Sequence, residues 1–254
     1  MTKTPYALRT HVIHLGTLKV DAFEMIMGIP EALIRERYEI NDHGYMRIGM
    51  HALIVDTGHR VILFDPGCAT FLSRSLAETY DLVMEQSLES TIRDAGYGMD
   101  QVTDVVFTHL HFDHGSGAFQ RVRGGIVKAF PNARYVVSKA QLDHIGSLDR
   151  EAQGSFFHKL LRFAGELTWA EDWHTDGIRF FTSHGHTRHM LVPVVETGDR
   201  TLLYATDLVP MQIHMQPGAS SYYDEDKSLL EKERREIPGN LDPGTEIIYY
   251  HEPG

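Results

Sequence analysis

The segment Thr108-His109-Leu110-His111-Phe112-Asp113-His114-Gly115 constrains this chain more than any other. Four side chains able to ligate a metal fall within six residues. Just upstream, Val105-Val106-Phe107 is an apolar run of the kind that forms a buried strand. Just downstream, Gly115-Ser116-Gly117 lets the backbone turn tightly. On an extended strand His109 and His111 point to one face. His111, Asp113 and His114 cannot all do so, and the chain must turn after His111. A strand that ends in a ligand cluster puts donors on a rigid support. Imidazole and carboxylate without thiolate suit zinc, iron, manganese or cobalt.

One zinc ion takes about four ligands, and a catalytic site leaves a position for water. Four clustered groups on one ion would crowd it, so two ions sharing further ligands is the more natural solution. Acids and histidines at other strand ends are the candidates. His186 follows the apolar strand around Phe180, Asp207 follows Leu202-Leu203-Tyr204-Ala205, and His251 follows Ile247-Ile248-Tyr249-Tyr250.

The rest of the chain reads as many short strands with a few helices. Residues 7 to 20, from Ala7, alternate as a first strand. Met25, Ile26, Met27, Ile29, Leu33 and Ile34 form an apolar patch around Pro30, a loop or short helix able to cover a site. Two strand pairs have Gly-containing turns, 51–56 with 61–65 and 190–196 with 200–205. Further strands are expected at 102–108, 132–137, 178–181 and 246–250. Helical spacing marks 81–96, 139–145, 156–163 and the charged stretch 226–236. Two sheets with helices outside is the expected architecture. With no repeat and no obvious linker in its 254 residues, a single domain over 1–254 is the simplest organisation.

Composition excludes other classes. The chain carries 24 basic and 35 acidic residues, a net charge of -11, which argues against a nucleic-acid partner and an anionic membrane surface. The N-terminal Met1-Thr2-Lys3-Thr4-Pro5-Tyr6 has no signal-like apolar region. No apolar run approaches the roughly 18 residues of a membrane helix. The one cysteine, Cys68, rules out an internal disulfide and suits a reducing, cytoplasmic setting.

The string His109-Leu110-His111-Phe112-Asp113-His114 resembles the HxHxDH motif of the metallo-β-lactamase superfamily. Gly185-His186-Thr187, Ala205-Thr206-Asp207 and Tyr250-His251-Glu252 match in the right order, and Phe64-Asp65-Pro66-Gly67 looks like that family's strand with an acidic end. The resemblance implies an α+β fold, a four-layered αβ/βα sandwich with a binuclear site at the edge between the sheets. It implies that His109, His111 and His186 hold one ion, Asp113, His114 and His251 the other, and that Asp207 bridges them. Two divalent ions, zinc first and iron, manganese or cobalt otherwise, would then share a hydroxide that attacks substrate. Asp113 would pass a proton to the leaving group, and Asp65 would orient a ligand histidine. The motif is most similar to the N-acyl homoserine lactonase and methyl-parathion-hydrolase-like branch. That implies a hydrolase of small lactones or esters, of the quorum-quenching type, and allows a homodimer.

Lactonases place a tyrosine shortly after the bridging aspartate, where this chain has Val209-Pro210-Met211. Tyr222, Tyr223 and His214 are the residues read as able to meet the substrate instead. His184 and His189 flank the Gly-His-Thr without matching ligand positions. The other histidines, among them His14 and His51, are read as structural or exposed. The same motif also serves glyoxalase-II-type thioesterases, phosphotriesterases and mono-iron persulfide dioxygenases. A non-catalytic metal-binding protein is the least favoured alternative.

Overall fold

The computed structural model describes residues 8–254. Residues 1–7, which include Ala7 of the expected first strand, lie outside the described residues. In chain order the elements are β1 Arg9–Asp21, α1 Ala22–Met25, α2 Glu31–Arg37, β2 Tyr45–Asp56, β3 Val61–Phe64, α3 Arg74–Tyr80, α4 Leu88–Asp94, β4 Asp104–Val106, α5 Phe112–Gly115, β5 Phe119–Val122, β6 Gly125–Lys128, β7 Arg134–Val137 and α6 Lys139–Ser147. They continue with β8 Leu167–Trp169, β9 Ile178–Ser183, β10 Met190–Glu196, β11 Thr201–Thr206, α7 Lys227–Gly239 and β12 Glu246–Tyr249.

One sheet runs β1-β2-β3-β4-β7-β8, a second runs β12-β11-β10-β9, and β5-β6 form a separate hairpin. Side-chain alternation along β10 and β11 shows how the layers form. Met190, Val192, Val194, Leu203 and Ala205 pack with Leu230 and Ile237 of α7. Leu191, Val195, Leu202 and Tyr204 point the other way and join the large core with Phe64, Val105 and Tyr135 of the first sheet. Ile92 of α4 belongs to that same core. Helices therefore cover both sheets, giving the four-layered αβ/βα sandwich.

The sheets meet along β2. Gly49 and His51 of β2 donate backbone N–H groups to the carbonyls of His251 and Tyr250, just past β12. The Tyr204 hydroxyl of β11 donates to the His51 carbonyl at 2.8 Å.

Both expected strand pairs form. The expected helix over 81–96 is corrected. Thr17 and Val83 exchange backbone hydrogen bonds, which holds the chain extended there. The helix begins only at Leu88, where the Ser87 hydroxyl accepts from Ser90 N–H. The stretch over 156–163 is a 3-10 helix, His158–Phe163. The hairpin β5-β6 and the strand β8 were not expected from sequence.

Candidate metal centre

The cluster forms where strands of both sheets end. After β4 the chain runs on to Thr108, whose carbonyl accepts from Leu191 N–H. It stays extended through His111 (φ -64°, ψ 147°) and then enters α5, one turn carrying Asp113 and His114. This is the turn after His111 that the spacing required. The nearby glycines act by clearance rather than by an unusual φ. A Cβ on Gly117 would lie 2.3 Å from the Pro66 carbonyl oxygen, and one on Gly115 would strike the Phe157 and Phe107 rings.

His186 sits on the turn after β9. Glu233 of α7 accepts from the Ser183 hydroxyl, from His184 N–H and from Gly185 N–H, which fixes that turn. Asp207 follows Thr206, a residue at φ 48°, where the β11–β12 register shifts. Asp65, at φ 49°, follows β3. Non-glycine residues in this region carry strain, and here two of them flank the cluster.

The structure brings all seven expected ligands together. Ligand atoms of His109, His111, His186 and Asp207 lie within 4.8 Å of one another, as do those of Asp113, His114 and His251. Asp207 stands between the two groups. Its Oδ2 is 3.0 Å from His186 Nε2 and 3.6 Å from His109 Nε2. Its Oδ1 is 3.4 Å from His114 Nε2 and 3.5 Å from His251 Nε2. His111 turns its Nδ1 inward, 3.0 Å from His186 Nε2.

The outward nitrogens are engaged. His251 Nδ1 donates to the Gly49 carbonyl at 2.8 Å, and His114 Nδ1 meets Asp65 at 3.1 Å. Asp65 also accepts from Thr108 N–H at 2.8 Å and from its hydroxyl at 2.5 Å. Burial pushes the Asp65 carboxyl up, but three converging donors are the pattern of an ionised carboxylate. Tyr250 stacks on the His114 ring at 3.9 Å between centroids and donates its hydroxyl to the Asp113 carbonyl.

Charge explains what such a cluster binds. His109 Nε2, His114 Nε2 and Asp207 Oδ1 are buried without a hydrogen-bond partner. Groups of that kind are costly unless something else coordinates them. Burial holds His109 and His111 well below the ordinary histidine range, so both keep a free lone pair. Burial also opposes charge on His114 and His186, but the surrounding carboxylates together outweigh it: Asp207 with Asp113 and Asp65 raises His114, and Asp207 with Asp224 raises His186 to about 9. Asp207 itself is held well below the carboxylate range by the surrounding histidines, although burial acts the other way. A buried carboxylate inside a ring of imidazoles calls for positive charge, from protons or from cations. The donor set fits divalent ions.

A cavity of about 200 Å³ opens onto the cluster. Leu18, Val20, Met25, Ile48, Tyr80 and Phe112 form its apolar wall, and Tyr223 and Pro210 complete the rim. No Lys or Arg lines it among the described residues, while Asp113, Asp207 and Asp224 do. A larger cleft of about 820 Å³, lined by Cys68, Arg93 and Tyr97, shares no residue with the cluster. Its size does not make it the site, because it lacks the convergent donors.

Other expected contacts sort by position. Met25 of the apolar patch faces the cavity, as does Tyr223. Tyr222 does not line it and is 65% exposed. His214 is also corrected as a substrate contact. It is buried outside the cavity lining, and its Nε2 donates to the Met25 carbonyl at 2.9 Å. His184 Nδ1 accepts from His189 N–H at 3.2 Å, and neither residue belongs to a metal-holding group. His14 and His51 pair at 3.2 Å. Sequence reading missed Asp224, which meets His186 Nδ1, and Phe156, whose ring stacks on His111. Asp224 lies 38 residues from His186, and no local pattern links them.

The sequence profile of the Metallo-beta-lactamase superfamily matches residues 50–250. The chain belongs to the metallo-beta-lactamase superfamily. No curated protein matches it. Solved structures share its fold at low identity. A probable metal-dependent hydrolase from Staphylococcus aureus superposes with a TM-score of 0.86 at 20% identity, over 97% of this chain and 90% of that one. AidC, a dizinc quorum-quenching lactonase in complex with a product N-hexanoyl-L-homoserine, superposes with a TM-score of 0.75 at 18% identity, over 98% and 88%. An N-acyl homoserine lactone hydrolase with N-hexanoyl-L-homoserine at its metal centre gives a TM-score of 0.73 at 15% identity, over 97% and 94%. Membership and cluster together make this superfamily chain a metal-dependent hydrolase.

Proposed function

We propose that the protein hydrolyses a neutral lactone or ester of modest size at a binuclear metal centre. The observation that carries this reading is the pairing of the His/Asp cage with a small apolar cavity free of basic side chains. His109, His111, His186 and Asp207 would hold one ion, and Asp113, His114, His251 and Asp207 the other. Two divalent ions, zinc first and iron, manganese or cobalt as alternatives, would supply acidified water as the nucleophile and a Lewis-acid pull on the scissile carbonyl.

The chain's own residues do the rest. Asp65 fixes the His114 tautomer so that Nε2 faces inward. Asp113 is partly exposed toward the cavity and takes the proton that the leaving oxygen needs. The carbonyl carbon gains a hydroxyl, the ester C–O bond breaks, and the departing oxygen leaves protonated. Leu18, Val20, Met25 and Ile48 shed water around the acyl group, and the Tyr223 ring orients it. The lining offers no Lys or Arg to hold a negative group remote from the metal centre, which disfavours substrates with remote charges such as glutathione thioesters. A neutral phosphotriester satisfies the same lining and is the second reading. Two structural neighbours hold N-hexanoyl-L-homoserine products, which supports including acyl-homoserine lactones, and with them a quorum-quenching role, among the substrates to be tested.

Metal analysis of the purified protein, paired with a screen of lactones, aryl esters, phosphotriesters and thioesters, tests the reading. Two ions per chain and turnover of a neutral lactone or ester are expected. Asp207→Ala and His111→Ala should lose both metal and activity. Full hydrolysis by a metal-depleted preparation would overturn the proposal.

A further inference from the structure

We propose that Asp224 is a positioning residue that aims the His186 imidazole into the metal cage. This rests on the reading of His186 as a metal ligand. The His186 ring has one nitrogen on each side of the question. Nε2 faces Asp207 and His111, both at 3.0 Å. Nδ1 faces Asp224 Oδ1, also at 3.0 Å. A carboxylate there keeps the proton on Nδ1, leaves the Nε2 lone pair free, and makes that nitrogen a stronger donor.

Asp224 is itself held. Its Oδ2 accepts from Ser221 N–H at 2.7 Å, and Arg234 Nη2 lies 3.8 Å away. The backbone either side of it is pinned to two different walls. Ser220 and Tyr222 bond to Met27 and Glu24 near the cavity, while Glu225 N–H donates to the His186 carbonyl at 3.0 Å. Asp224 thus follows the turn it steadies, and the ring and its backbone are set by one short segment. Buried Arg234 adds a tie, donating to the Leu208 and Ala219 carbonyls at 2.6 Å each. That links the chain just after Asp207 to the chain just before Asp224.

Among the described residues, two of the inward-facing histidines have a carboxylate on the far nitrogen. His114 has Asp65, and His186 has Asp224. They fall one in each ligand group. His251 uses a backbone carbonyl and His109 lies near the Thr108 hydroxyl. Each half of the centre therefore has one imidazole stiffened by an acid.

The test compares wild type with Asp224→Ala and Asp224→Asn by chelator competition and by the absorption spectrum of the cobalt(II)-loaded protein. Asp224→Ala is expected to bind one of the two ions about 10- to 100-fold more weakly, with the other unchanged and one cobalt band set altered. Asp224→Asn keeps an acceptor for Nδ1–H without the charge, and should weaken the same ion by about tenfold or less. If both variants hold both ions with wild-type affinity and spectrum, Asp224 has no positioning role, whatever their melting temperatures. If Asp224→Ala does not fold, Asp224→Asn decides by the same criterion. A wild-type chain that binds no divalent ion would instead overturn the functional reading itself.

Discussion

His214 shows how much a single burial decides. Its sequence position after Asp207 points toward substrate, yet the side chain is 1% exposed and ties the Met25 carbonyl to the 3-10 turn at Gln212–Met215. Burial, reinforced by the nearby Arg234 charge, lowers its pKa to about 4. The linkage has a definite sign. Between about pH 6.5 and 4 the unfolded chain binds a proton at this residue and the folded chain does not, so stability rises with pH across that window. The full effect is at most about 3 kcal/mol. His214→Gln keeps a donor for Met25 and removes the titration. Its melting temperature should fall less steeply than that of wild type between pH 6.5 and 4, and parallel curves would refute the assignment. Because Met25 faces the cavity, the same hydrogen bond also sets the position of one wall residue.

At the scale of elements, the segment from β4 through α5 carries four of the seven cage residues and packs against the turn after β3. Gly117 N–H donates to the Gly67 carbonyl at 2.7 Å. Gly117→Ala would force a Cβ to 2.3 Å from the Pro66 carbonyl oxygen, one residue from Asp65. A loss of about 1–3 kcal/mol is expected, read as a lowered urea midpoint. An unchanged midpoint would show that the turn can yield. This segment was the most legible part of the chain, since four donors within six residues after an apolar run need no distant information. His186, Asp207 and His251 were legible for a similar reason, each being a donor directly after an apolar strand. The hairpin β5-β6 was not. Val122 and Val127 are exposed, so the hydrophobic alternation that marks a half-buried strand is weak there. Asp224 was hidden because its partner lies in another element, and Ser221-Tyr222-Tyr223-Asp224 reads alone as an ordinary polar turn. The 81–96 helix failed because apolar spacing took no account of Ser87 as a cap or of Val83 pairing with Thr17.

At the scale of the whole molecule, each half of the cage takes donors from both sheets. His109, His111, Asp113 and His114 follow β4 of the six-stranded sheet, whereas His186, Asp207 and His251 follow strands of the four-stranded one. An ion held as proposed would staple the sheets in addition to the β2 seam. Binding free energy to such a site is folding free energy. At metal concentrations about a thousand times the dissociation constant this amounts to about 4 kcal/mol, or on the order of 10 °C in melting temperature for a chain of this size. Chelation followed by scanning calorimetry should show that fall, with recovery on readdition. A melting temperature indifferent to chelation would mean that the sheets are fixed without the centre.

The division of donors between the sheets also sets what an incomplete fold can offer a metal. The donors at 109–114 are neighbours in sequence and can gather as soon as β4 and α5 are laid down. The other three come with β9 to β12 and join only where those strands dock against the first sheet. A partly folded chain can then offer at most a loose half-site, and tight occupancy requires the finished sandwich. If the centre is held as proposed, the metal bound per chain in a preparation counts natively folded molecules.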